Sequence, residues 1–162
     1  MENVIKLNED DTLRLKIVTK EGKETGEYLE FCLSDIELPL KLQDLIEQDK
    51  KNKGWLKNQF MIIEKRQDVK GKKLLSKNEE DKIKALNDFF KKEVEIYNIF
   101  LGENGVQKLL NGRKIGWTTL DEIDEIIGNQ IAPYLETDMK KITDKVKEKY
   151  SKAVERSKEV LK

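Results

Sequence analysis

Leu13-Arg-Leu-Lys-Ile17 and Leu29-Glu-Phe-Cys-Leu33 decide the fold class of this chain. In the first stretch Leu13, Leu15 and Ile17 alternate with Arg14 and Lys16. In the second, Leu29, Phe31 and Leu33 alternate with Glu30 and Cys32. A period of two places each apolar set on one face of an extended strand. Between them lies Lys20-Glu-Gly-Lys-Glu-Thr-Gly26, polar and rich in turn formers. The pattern predicts a β-hairpin over 11–33 with one buried face. Val4 to Leu7 offers a third short strand. Two strands alone are marginally stable in water, so the hairpin must pack on another part of the chain.

From Ser34 onward the period is helical. Ser34 and Glu37 have capping-box spacing, but Pro39 suits a first helical position, and the helix is expected to start near it. Leu38, Leu42, Leu45, Leu56, Phe60 and Ile63 form one stripe, interrupted by Asp49, Asn52 and Lys53 and weakened at Gly54. A bend near Lys53-Gly54 is favoured over a full turn. Arg66 to Ser76 is polar and reads as a loop. Ser76 and Glu79 then open a helix whose stripe is Ile83, Leu86, Phe90, Val94, Tyr97 and Leu101, stopped by Gly102. A short helix from Val106 to Leu110 ends at Asn111-Gly112. Thr119 and Glu122 are expected to cap the next helix, with Leu120, Ile123, Ile127 and Ile131 inward and Pro133 as its end. Thr137 or Asp138 would start a final helix carrying Met139, Ile142, Val146, Tyr150, Ala153 and Val154. The expectation is a single α+β domain over 1–136, with the hairpin packed on a helical body at 38–135. The charged C-terminal helix at 137–162 would be partly frayed.

The 162 residues are 37% hydrophobic and 40% charged, with 32 basic and 32 acidic side chains. Helices with one apolar stripe and a broad charged face suit that balance. There is no histidine, which removes Ser-His-Asp and Cys-His catalysis and histidine metal sites. Cys32 is the single cysteine, so no intramolecular disulfide forms and no cysteine-clustered zinc; it reads as a packing thiol. The start lacks a basic n-region and an apolar h-region, and no apolar run spans a membrane. A reducing cytoplasm is the expected compartment.

Zero net charge conceals segregation. Residues 1–49 carry about −7, residues 50–77 about +8, residues 78–136 about −5 and residues 137–162 about +4. The basic block includes Lys70, Lys72 and Lys73 and is interleaved with Trp55 and Phe60. Such a block can bind a nucleic-acid backbone, or meet an acidic protein surface; a solvated face is the simpler reading.

Gly102-Glu-Asn-Gly105 and Gly112-Arg-Lys-Ile-Gly116 lack phosphate-loop spacing, and Glu103 would repel a phosphate, so these glycines read as helix stops and turns. Asp121, Glu122, Asp124 and Glu125 oppose the positive end of a helix and show no calcium-loop spacing. The residues require neither cofactor nor metal, and an enzyme is the least favoured class. Around the glycine-rich turn lie Phe89, Phe90, Tyr97, Phe100 and Trp117. Phe90 and Tyr97 fit the buried stripe. Phe89, Phe100 and Trp117 do not share one face and are candidates to line a groove for a partner helix, with core packing the simpler reading.

Ile36-Glu-Leu-Pro-Leu-Lys-Leu-Gln-Asp-Leu-Ile46, Trp55-Leu-Lys-Asn-Gln-Phe60, Phe89-Phe90 and Phe100-Leu-Gly-Glu-Asn-Gly-Val-Gln-Lys-Leu-Leu-Asn-Gly112 together resemble a known pattern. A double aromatic, a Leu-Gly-Glu-x-Gly turn and a short helix ending in Asn-Gly is similar to the small tail assembly chaperones of long-tailed phages and prophages of Gram-positive bacteria. The resemblance covers roughly residues 10–135. It implies a non-catalytic factor in the host bacterial cytoplasm that binds the tape-measure protein and helps tail-tube protein polymerise around it. The family offers no catalytic residues to carry over. Two rivals stand beside it, a nucleic-acid-binding module using residues 50–77 and a structural tail or connector protein of the virion. The charge order separately suggests head-to-tail association of copies.

Overall fold

The computed structural model of the chain describes residues 2–6 and 11–160; the side chains of 137–139, 142, 150 and 152–160 lie outside that description. Strands β1 (Thr12–Val18) and β2 (Glu24–Cys32) form an antiparallel hairpin. Five helices follow: α1 (Leu38–Lys65), α2 (Lys77–Leu101), α3 (Gly105–Leu110), α4 (Trp117–Ile126) and α5 (Ala132–Val160). A π-helical turn, Ile127–Ile131, joins the last two. The α+β expectation holds, with helices dominating.

The hairpin register pairs Leu13 with Phe31 and Leu15 with Leu29. Both apolar sets therefore share one face, as the alternation predicts. Leu29 and Phe31 are buried, and the Phe31 ring lies 5.5 Å from that of Phe100 at the end of α2. The register slips between Lys16 and Val18, a bulge closed by the Thr25 hydroxyl donating to the Ile17 carbonyl at 2.8 Å. Cys32 stands on the outer face and is exposed, so it is no packing thiol. Residues 2–6 form no strand; Leu7, the end of the expected third strand, lies outside the described residues.

Helix α1 begins at Leu38, with Pro39 in its first turn. The Ser34–Glu37 capping box does not form. Asp35 takes that role instead: its carboxylate accepts from the Glu37 N–H at 3.0 Å and pairs with Lys41 at 3.2 Å. The helix then runs unbroken through Gly54. At its far end the Asn78 amide donates to the Ile63 and Arg66 carbonyls, satisfying acceptors that a helix terminus leaves free. Ser76 caps α2 as expected, its hydroxyl accepting from the Glu79 N–H at 3.2 Å while Glu79 accepts from the Ser76 N–H.

Helix α2 buries a wider face than the expected stripe. Tyr97 and Leu101 are buried as expected and Leu86, Phe90 and Val94 half-buried, but Ile83 is exposed, and Ala85, Phe89, Glu93, Ile96 and Phe100 are buried beside them. The polar Glu93 breaks the apolar period and displaces the reading of the face by about one position. Gly102 ends the helix at φ 96°, a conformation that L side chains resist.

Helix α4 starts one turn earlier than expected. Trp117 is already helical, and Thr119 reaches back to accept from the Gly116 N–H at 2.8 Å. Glu122 pairs with Arg113 at 2.8 Å rather than serving as a cap partner. Nor does Pro133 end the helix. The π turn precedes it, with the Ala132 N–H bonded to the Ile127 carbonyl, and the widened turn accommodates the ring. Helix α5 therefore passes through 137 without a new start and is continuous to Val160.

One core gathers Leu29, Phe31, Leu45, Phe100, Val106, Ile123 and Ile131 where the hairpin meets α2, α3 and α4. A second, smaller cluster of Leu56, Ala85 and Phe89 lies along the antiparallel α1–α2 pair. Burial of one such side chain is worth about 1.5–3 kcal/mol.

Candidate functional site

Helices α1 and α2 pack side by side, leaving a furrow along one edge of the pair. Its larger part, about 390 Å³, lies between Gln48, Lys51, Asn52 and Trp55 on α1 and Asp88, Lys92 and Ile96 on α2. Positions 48, 51, 52 and 55 follow the helical step of three and four, so they line one face. Trp55 and Asp88 also border a second recess of about 250 Å³, which reaches Ile62 and Arg66. The two recesses form one furrow from Gln48 to Arg66. At a rise of about 1.5 Å per residue it is about 27 Å long, the span of five helical turns.

The furrow has a buried apolar floor of Ile96, Ala85 and Ile63. Trp55 is 38% exposed and Ile62 58% exposed, so both offer apolar surface to a visitor. Lys51, Lys92 and Lys84 stand along the rims with Asp88 and Asp81. Asp81 is also held by Arg66 at 2.8 Å and by Lys77 at 3.2 Å, which keeps its carboxyl below the usual range.

Beneath the furrow runs a seam of polar groups around one buried carboxyl, Glu93, with Asp49 and Asn52 half-buried and Lys53 and Asp124 at its exposed ends. Asn52 donates to the Phe89 carbonyl at 3.1 Å and to Glu93 Oε1 at 2.9 Å. Lys53 Nζ pairs with Asp49 Oδ2 at 2.9 Å, which raises the ammonium above its ordinary value. The Tyr97 hydroxyl donates to Asp124 of α4. Burial pushes the Tyr97 phenol well up, and burial likewise raises Asp124. Glu93 is fully buried; burial first and the neighbouring Asp49 second push its carboxyl up to about 8. The residues that interrupt the α1 stripe, Asp49, Asn52 and Lys53, are thus the α1 half of this seam. The interruption in the apolar pattern was its only sequence signal.

The expected partner-binding aromatics separate. Phe89 is 0% exposed and Phe100 3% exposed, so neither can line a surface groove. Each belongs to a core cluster because α2 presents that face to α1 and to the hairpin. Trp117 is 48% exposed and leans on Phe89 and Phe90, with ring centroids 5.1 and 5.0 Å away. Lys70, Lys72 and Lys73 are exposed in the loop between α1 and α2, away from the three aromatics along the chain. Trp55 and Ile62, the exposed apolar members of the furrow, were not among the expected site residues. The sequence shows Trp55 only as an aromatic interleaved with the basic block, and the packing of α2 beside α1 reveals its free edge.

Among the described residues no group of three His, Cys, Asp or Glu side chains is arranged to hold a metal ion. None of the described helices is long and apolar enough to cross a membrane. No family model, no curated protein and no solved structure matches the chain.

Proposed function

We propose that the protein is a non-catalytic tail assembly chaperone of a long-tailed phage or prophage. In this reading it acts in the bacterial cytoplasm, binds the tape-measure protein and assists assembly of tail-tube protein around it. The family comes from the resemblance at 36–46, 55–60, 89–90 and 100–112. The observation that carries client binding is the α1–α2 furrow, where Trp55 and Ile62 present apolar surface between charged rims. An amphipathic helix laid along it would bury its apolar face, and the rims would keep the complex soluble.

Co-expression with the tape-measure protein of the same genome tests the reading. The soluble yield of the client is expected to rise with the wild-type chain and to fall back with the pair Trp55→Ala and Ile62→Ser. Both positions face solvent, so the variant's own unfolding free energy should change little, by about 0.5 kcal/mol per site. A client yield indifferent to the wild-type chain would remove the proposal. Salt-dependent retention of a single-stranded oligonucleotide, lost with Lys51→Glu and Lys70→Glu, would favour the nucleic-acid reading of residues 50–77 instead.

A further inference from the structure

The α1–α2 seam holds more acid than it can keep ionised. Two carboxyl oxygens, Asp49 Oδ1 and Glu93 Oε2, are buried without a hydrogen-bond donor. Their sister oxygens are engaged, Asp49 Oδ2 by Lys53 and Glu93 Oε1 by Asn52, each at 2.9 Å. The Asp49 and Glu93 carboxyls lie within hydrogen-bonding reach of each other, and an ionised carboxylate only accepts, so two such groups cannot satisfy each other. A single proton resolves the conflict, because a protonated carboxyl donates and the O–H···O⁻ bond it makes is short and strong.

Three elements face this point. Helix α1 brings Asp49, Asn52 and Lys53, α2 brings Glu93 and Tyr97, and α4 brings Asp124. The charges are three carboxyls against one ammonium. Asp49 has the Lys53 ammonium, and Asp124 has the Tyr97 hydroxyl. Glu93 has only the neutral amide of Asn52 and no exposure to water. It is therefore the group that keeps the proton.

We propose that Glu93 is protonated in the folded protein at neutral pH and donates from Oε2 to Asp49 Oδ1, a shared proton that latches α2 to α1. The latch reaches the surface through Asn52, which donates to Glu93 and also lines the furrow one turn from Trp55. Losing the proton sets two anions face to face across the seam and loosens the furrow's floor. This device is independent of what the furrow binds.

The linkage has a definite sign. Glu93 stands at about 8 in the folded chain against 4.5 ordinarily. The folded state then holds a proton that the unfolded chain has released. The stabilisation is complete below about pH 4.5, falls as pH rises and is gone above about pH 8. Because the chain has no histidine, no imidazole contributes to the slope between pH 6 and 7.5.

Urea unfolding of the full chain from pH 5 to 9 tests this, alongside infrared detection of the protonated-carboxyl carbonyl stretch. In the wild type the folding constant should fall about tenfold per pH unit between pH 6 and 7.5, the slope of one proton. In Glu93→Gln the slope should vanish, because the amide donates to Asp49 and accepts from Asn52 at every pH. The wild type should show the protonated-carboxyl band at pH 6.5, and Glu93→Gln should lack it. Asp49→Asn removes the anionic neighbour and supplies a donor to an ionised Glu93 while burial remains, so its band should fade at lower pH than in the wild type. A wild type with no band at pH 6.5, a band that persists in Glu93→Gln, a band in Asp49→Asn that fades no earlier than in the wild type, or a slope shared by wild type and Glu93→Gln would overturn the proposal.

Discussion

At Gly105 the chain has no room for a β-carbon. One placed there would sit 2.5 Å from Leu101 Cβ, well inside any normal contact. The closeness follows from the turn that folds α3 back onto the end of α2, where the Asn98 side chain accepts from the Val106 N–H at 2.8 Å. Gly105→Ala is expected to destabilise by about 1–3 kcal/mol, the usual cost of forcing bulk into a packed site. Chemical denaturation measures it, with Gly128→Ala as a control at a glycine that has open space around it. The Gly102-x-x-Gly105 spacing is therefore explained by packing and by the positive φ at Gly102. At the same scale, Asn98→Ala should be costly, since its oxygen serves Val106 and its amide donates to Gln107 at 3.0 Å. A loss of about 1–3 kcal/mol is expected when the buried Val106 N–H is left unpaired.

Among the elements, the ends of α1 and α2 depend on side chains that cap one another. Ser76→Ala removes the hydroxyl that accepts from Glu79 and should cost about 1 kcal/mol in thermal or urea unfolding. Carboxylates do similar work nearby. Asp68 accepts from the Asn78 N–H, Asp35 from the Glu37 N–H, and both are held below their ordinary values chiefly by those backbone bonds. Their contribution is present above the ordinary carboxyl range and is lost as pH falls through the lowered values. Combined with the opposite trend of Glu93, this puts the stability maximum on the acid side of neutrality, which a urea series across pH would show. Local signals made much of this legible. The strand alternation, the Ser76–Glu79 spacing and the glycine stop at Gly102 each rest on residues close in sequence. The buried face of α2 was legible only in part: Tyr97 and Leu101 lie in it as the stripe predicts, but Glu93 reads as a solvent residue until Asp49 and Asn52 are seen beside it. The furrow was not legible either, since it exists only where α1 and α2 lie together and bring residues such as Asn52 and Glu93, 41 apart in sequence, side by side.

For the molecule as a whole, the charge blocks meet solvent in different places. Lys70, Lys72 and Lys73 stand exposed on the α1–α2 loop, at the basic centre of the chain. If that block meets an acidic face of a second copy, association is weak, concentration-dependent and reduced by salt, because exposed pairs give only about 0–1 kcal/mol each. Reversing the three lysines to Glu should then leave a folded, more monomeric protein by sedimentation across a salt series. A wild type that stays monomeric at low salt and high concentration would confine the blocks to solubility and internal packing. The π turn sets the direction in which α5 leaves this body. Ile123, Ile127, Ile131 and Leu135 recur every fourth residue, and all are buried. In a uniform α-helix a step of four advances about 40° beyond a full turn, so Leu135 would be rotated about 120° from Ile123. The wide turn absorbs that drift and keeps the four side chains in rotational phase. Removing the exposed Gly128 would shorten the middle interval, Ile127 to Ile131, to three and let an ordinary helix keep nearly the same phase. The ring of Pro133 would then meet a regular turn, so the deletion alone should unfold at lower temperature than the deletion combined with Pro133→Ala.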